Sequence, residues 1–159
     1  MQKINTFLWF SDKAEEAAKF YTSVFPDSKI TATTRYGDAG PGPKGSVMTV
    51  AFQIAGQEFV ALNGGPHFQF TPAISLVINC ESQEEVDRYW DKLSEGGDPR
   101  AQQCGWLADK YGLSWQVVPT ILGKMMSDKD AAKASRVTTA MLAMKKLDSD
   151  ALKRAYEGA

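Results

Sequence analysis

The stretch Ile4-Asn5-Thr6-Phe7-Leu8-Trp9-Phe10, followed by Glu16-Ala17-Ala18-Lys19-Phe20-Tyr21, has a counterpart in Ile74-Ser75-Leu76-Val77-Ile78-Asn79-Cys80, followed by Glu85-Val86-Asp87-Arg88-Tyr89-Trp90. Each copy reads as a strand leading into an amphipathic helix, with short strands after it. Two half-domains of this kind must bury their apolar faces against each other or around something, and a space between them suits a ligand. The duplication therefore predicts an α+β fold and leaves the chemistry to individual residues.

Working outward in the first copy, Phe7–Phe10 is an apolar run of strand length, and Asp12 with Glu15 has the spacing of a helix capping box. Ala17, Ala18, Tyr21, Val24 and Phe25 fall on one helical face before Pro26 stops it. Ile30–Tyr36 reads as the next strand, and Val47–Ile54 with Glu58–Leu62 flank the turn Ala55-Gly56-Gln57 as a hairpin. The glycine- and proline-rich segment Gly37–Ser46 is either a plain hairpin connection or a mobile lid, and Asn63-Gly64-Gly65-Pro66 closes the unit.

The second copy uses Ser82 and Glu85 as its capping box and Val86, Tyr89, Trp90 and Leu93 as its buried stripe, ending at Gly96-Gly97. Short strands are expected around Gln103–Trp106 and Ser114–Val118, with Pro119 ending the sheet. Beyond it, helical spacing predicts Asp128–Lys146 and Ser149–Glu157, a tail that docks on the sheet or on a second subunit. The expected organisation is a two-module domain over residues 1–119, with modules of about 1–66 and 67–119, and a helical extension over 120–159.

The charge balance of 18 Lys+Arg against 19 Asp+Glu gives no basic field for nucleic acid and no polybasic run for anionic lipid. A small molecule or a protein is the expected partner. No stretch approaches membrane-spanning length and no cleavable leader is evident, so the reading is cytoplasmic. Cys80 and Cys104 are too few for a disulfide framework and are expected to be reduced.

Asp12-Lys13-Ala14-Glu15-Glu16-Ala17-Ala18-Lys19-Phe20-Tyr21, Asn63-Gly64-Gly65-Pro66, and Cys104-Gly105-Trp106 followed by Asp109-Lys110-Tyr111-Gly112-Leu113-Ser114-Trp115-Gln116 resemble the PhnB-like branch of the vicinal-oxygen-chelate superfamily. Its members are called glyoxalase/bleomycin-resistance proteins or demethylubiquinone methyltransferases. The resemblance covers about residues 4–119 and implies two βαβββ modules curling into paired cup-like mixed sheets, followed here by C-terminal helices. It also implies homodimers that complete or enclose the cavity.

Enzymes of that superfamily hold a divalent metal with His and Glu at matching positions of the two modules. In this sequence the resemblance places Thr6, Ser75, Val60 and Gln116 at those positions. Hydroxyls, an amide and a valine bind Zn²⁺ or Mn²⁺ too weakly to replace imidazole and carboxylate, so neither a metal nor another cofactor is expected. The glycine-rich Gly64-Gly65 is followed at once by Pro66 and opens no nucleoside-binding helix, which leaves methyl transfer without a visible site.

His67, the one histidine, is either a general acid–base or a loop residue bonded to backbone, and Cys104 is either a cavity thiol or a small apolar filler. Trp9, Trp106 and Trp115, with Phe10 and Phe52, are either an aromatic cup or ordinary sheet core. Strand parity puts Thr6, Leu8 and Phe10 on one face and Ser75, Val77 and Asn79 on another, and the family turns that face toward the cavity. The expected ligand-binding set is thus Thr6, Leu8, Trp9, Phe10, Ser75, Val77, Asn79, Trp106, Trp115 and Gln116, suited to an uncharged or weakly polar organic molecule. Two other readings stay open: an atypical glyoxalase- or dioxygenase-type enzyme using His67, Gln116 and Cys104, and a dimeric interaction module built on the C-terminal helices.

Overall fold

The computed structural model describes residues 2–159, arranged as two compact units that divide between Phe70 and Thr71. The first unit runs β1 (Thr6–Phe10), α1 (Ala14–Val24), β2 (Lys29–Arg35), β3 (Val47–Ile54) and β4 (Gln57–Asn63). Its sheet has the order β1-β4-β3-β2, with β1 parallel to β4 and the other pairs antiparallel. The predicted hairpin around Ala55 and Gly56 is present with its boundaries nearly unchanged.

The register fixes which side chains meet α1. Leu8 pairs with Ala61 and Ala61 with Val50, while Phe59 pairs with Phe52. Tyr21 of α1 stacks on Phe52 at 6.2 Å, and Phe52 on Phe59 at 5.5 Å. Leu8, Phe10, Val50, Phe52, Ile54, Phe59 and Ala61 therefore form the helix-covered side with Ala17, Ala18, Tyr21 and Val24, and all are buried. By contrast every residue of β2, at the edge of the sheet, is exposed.

The second unit runs β5 (Ser75–Cys80), α2 (Gln83–Ser94), a short 3₁₀ turn (Pro99–Ala101), β6 (Trp106–Ala108) and β7 (Ser114–Pro119). Its sheet has the order β5-β7-β6, one strand fewer than the expected βαβββ module. The short connection after Gly96-Gly97 carries Pro99, which has no N–H to give a sheet ladder, and Asp98 caps the 3₁₀ turn instead. Three helices follow: α3 (Thr120–Met126), α4 (Ala131–Leu142) and α5 (Ser149–Glu157). The sequence pattern showed only two, because Pro119 read as a stop whereas it sits immediately ahead of α3, where a missing N–H costs nothing.

Leu122, Met125, Val137, Leu147 and Leu152 form the core of this helical extension, with Val118 of β7 packed against it. The extension is tied to its own unit. Gln83 donates to Leu147 O and accepts from Ser149 N, and Cys104 N and Gly105 N donate to Met144 O and Lys145 O at 2.7 and 2.8 Å. Among the described residues no helix is long and apolar enough to cross a membrane.

Candidate functional site

The α2 side of the second sheet is made by Cys80, Leu107, Trp115 and Val117, all buried, facing the apolar stripe Val86, Tyr89, Trp90 and Leu93. Trp115 is therefore separated from the other expected ligand residues. Its ring is 2 % exposed, and its Nε1 donates at 2.9 Å to the buried carboxylate of Asp109, which also accepts from Tyr111 N and Leu113 N.

The opposite face of this sheet, which α2 leaves open and the helical extension meets at Val118, brings together Ser75, Val77, Asn79, Trp106 and Gln116, since Ser75, Val77 and Asn79 alternate along β5 and Gln116 pairs with both Val77 and Trp106. Gln116 Nε2 donates to Ser75 Oγ at 2.9 Å, while Val77 stays 51 % exposed. This is a strip of apolar and neutral hydrogen-bonding groups without a charge.

In the first unit the parity is reversed from the expected one. Thr6, Leu8 and Phe10 point to the α1 side, and the uncovered face carries Phe7, Trp9, Val60 and Leu62. The physical reason is one residue of linker. Ser11-Asp12-Lys13 joins β1 to α1, whereas only Glu81-Ser82 joins β5 to α2, so counting back from the helix aromatic lands on opposite sides of the two strands. Phe7 pairs with Val60 as Val77 pairs with Gln116, which makes Asn5 rather than Thr6 the counterpart of Ser75. Asn5, Ser75, Val60 and Gln116 are no better as metal ligands than the set expected from sequence, and among the described residues no three of His, Cys, Asp and Glu converge. The residues present do not fit the superfamily's metal.

His67 lies elsewhere, in a groove of about 550 Å³ confined to the first unit. Its walls are Tyr36, the Pro41–Pro43 bend, Val47 and Gly64–Pro66, and Ser11, Asp12, Glu15, Ser46, Asn63 and His67 bring polar atoms to it. Sequence reasoning marked several of these residues separately without seeing that they meet. The Gly37–Ser46 segment is bonded at its ends and packed on Tyr36: Tyr36 Oη donates to Asn63 O, Arg35 Nη1 donates to Gly45 O, and a Cβ at Gly42 would stand 2.3 Å from the Tyr36 ring. Asp12 does not cap α1. Asn63 Oδ1 reaches across from β4 to accept from Ala14 N at 2.8 Å, so of the two expected boxes the side-chain N-cap forms only in the second unit, where Ser82 Oγ accepts from Glu85 N while the Glu85 carboxylate accepts from Glu81 N.

Cys104 is half-buried in a turn at φ 40°, with its backbone occupied by the helical extension. Burial pushes the Cys80 thiol up to about 11, with Glu85 adding to the effect.

Duplicated strand–helix–strand units with small mixed sheets define an α+β protein. The chain belongs to the 3-demethylubiquinone-9 3-methyltransferase family, whose model matches residues 2–118 and leaves the last three helices outside it. The PhnB protein of Bacillus cereus, which bears the same family name, is 44 % identical over 74 % of this chain and 99 % of its own, with a TM-score of 0.65. A protein from Pseudomonas aeruginosa is 22 % identical over 75 % and 98 % of the two chains with a TM-score of 0.59, and shares the fold. So does the fosfomycin resistance protein FosX of Mesorhizobium loti, at 15 % identity, 74 % and 91 % coverage and a TM-score of 0.50. No curated protein matches the chain.

Proposed function

We propose that this protein binds a small, uncharged or weakly polar organic molecule without a metal, on the sheet face formed by Ser75, Val77, Asn79, Trp106 and Gln116. Leu8, Phe10 and Trp115 serve the helix-packed cores of their own units, Thr6 is exposed, and Trp9 is bonded to Gly65 O within the first unit. The observation that carries the reading is the Gln116–Ser75 pair. One amide N–H goes to Ser75, leaving the amide oxygen and a second N–H of Gln116 for a ligand beside the exposed Val77 and the half-buried Trp106.

Neutral donors and acceptors in an apolar wall favour a planar, weakly polar body and give no anchor to a strongly charged one. Methyl transfer, the activity in the family's name, lacks a glycine turn opening a helix here, because Gly64-Gly65 leads from β4 into turns and then to β5. Two expectations complete the proposal: a homodimer, and a location in the cytoplasm.

Thermal unfolding with and without 1-naphthol, a planar and weakly polar probe, tests this. A rise in Tm that survives EDTA and is lost in both Gln116→Ala and Trp106→Ala is expected. A shift abolished by EDTA, or one indifferent to both substitutions, overturns the reading.

A further inference from the structure

The groove of the first unit has no part in the ligand face proposed above, and three separate motifs of the sequence converge on it. Tyr36 and the Pro41–Pro43 bend form one wall, Gly64–Pro66 and His67 another, and the start of α1 a third. At about 550 Å³ it is within the size range of pockets that take small organic ligands. Its walls are already in place. Tyr36 is 6 % exposed and bonded to Asn63 O, Asn63 Nδ2 donates to Val47 O at 3.1 Å, and Gly64 N and Gly65 N donate to Phe10 O and Ser11 O.

The lining holds no lysine or arginine. Its carboxylates are those of Asp12 and Glu15, and His67 brings an imidazole. Glu15 is shared with Lys19 at 3.3 Å on an exposed helical surface. Asp12 makes no hydrogen bond or ion pair with any described residue, because Asn63 has taken over the capping task that its position in the sequence predicts. A carboxylate relieved of its structural role thus lines a mostly apolar groove that holds no lysine or arginine. The absence of three converging His, Cys, Asp or Glu side chains among the described residues argues against a bare metal ion.

We propose that this groove is a second binding site, for a small organic cation: a protonated amine carried on an apolar body. The ammonium is held by Asp12 with Glu15 behind it, and the body lies between Pro41, Pro43, Val47 and Pro66. An N⁺–H to carboxylate hydrogen bond is stronger than a neutral one, and its strength falls as salt screens the exposed carboxylate.

Two-dimensional ¹H–¹⁵N NMR titration of the full chain with benzylamine, and separately with the neutral benzyl alcohol, reads this out. Benzylamine is expected to shift the amides of Ser11, Asp12, Gly42, Ser46, Gly64 and His67, to bind more tightly than benzyl alcohol, and to weaken about tenfold in Asp12→Asn. Asp12→Asn leaves every described structural hydrogen bond in place, and its spectrum shows directly that the fold persists. Gln116→Ala is expected to leave benzylamine binding unchanged, so failure of the sheet-face proposal and failure of this one are told apart. Equal binding of the alcohol, no effect of Asp12→Asn, shifts confined to the second unit, or no binding at millimolar benzylamine would each overturn the inference.

Discussion

Trp9 and Gly64 approach more closely than any side chain at position 64 would permit: a Cβ built there stands 2.3 Å from the Trp9 ring. The same indole donates from Nε1 to Gly65 O at 2.9 Å and meets Phe68 edge-on at 4.9 Å. One aromatic residue on the uncovered face of the first sheet thus holds the segment that walls the groove. Gly64→Ala is expected to cost about 1–3 kcal/mol, the usual range for overpacking, because either the ring or the strand end must move. Urea denaturation checks the value. Pairing the change with Trp9→Ala should recover part of the loss through a double-mutant cycle, since the smaller residue removes the clash.

Asn63 and Asp12 separate a cap that is used from one that is only suggested. Asn63→Ala loses the bond to Ala14 N and the bond to Val47 O, and should destabilise by about 1–3 kcal/mol. Asp12→Ala should stay within about 0.5 kcal/mol, as expected for a surface side chain without structural partners. Denaturation midpoints in the opposite order would show that Asp12 caps α1 after all.

The carboxylate of Asp109 accepts from Tyr111 N, Leu113 N and Trp115 Nε1 while only 2 % exposed. Asp109→Asn turns an amide N–H₂ toward one of these donors, so a loss of about 1–3 kcal/mol is expected, with Asp109→Ala at least as damaging. Near-ultraviolet circular dichroism should report the altered setting of Trp115 in both.

Cys80 makes stability depend on alkaline pH. Burial raises its thiol from 9.0 to about 11, so the folded chain keeps its proton after the unfolded chain has begun to lose it. This contribution is fully present below pH 9.0 and is lost as the pH rises toward about 11. Chemical denaturation across that window should show a decline that is smaller in Cys80→Ala, and identical slopes for the two proteins would contradict the assignment. Alkylation near neutral pH should fall on Cys104 first, because Cys80 is both protonated and buried.

Much of the fold was legible because it rests on local pattern. The apolar stripe of α2, the Ser82 N-cap and the β3–β4 hairpin follow from spacing within a few residues, and each is present in the structure. The site was less legible, for a reason of arithmetic. Strand side chains alternate with period two, so the single extra residue among Ser11, Asp12 and Lys13 moves Thr6, Leu8 and Phe10 to the helix side while Ser75, Val77 and Asn79 stay on the face that α2 leaves open. The groove was invisible for a different reason. It depends on Asn63 reaching the start of α1 from the end of β4, a contact between residues far apart in the chain that no window of sequence contains.

The bare strand β2 bears on how copies of this chain would meet edge to edge. Its outer backbone is an open ladder for another chain, and its sequence, Lys-Ile-Thr-Ala-Thr-Thr-Arg, is rich in the β-branched residues that favour such zippering. Two copies meeting antiparallel about Ala32 would set Lys29 against Arg35 at both ends of the seam. Repulsion between these terminal cations, together with the register shifts near Ile30 and Thr34, works as a gatekeeper against sheet-to-sheet aggregation.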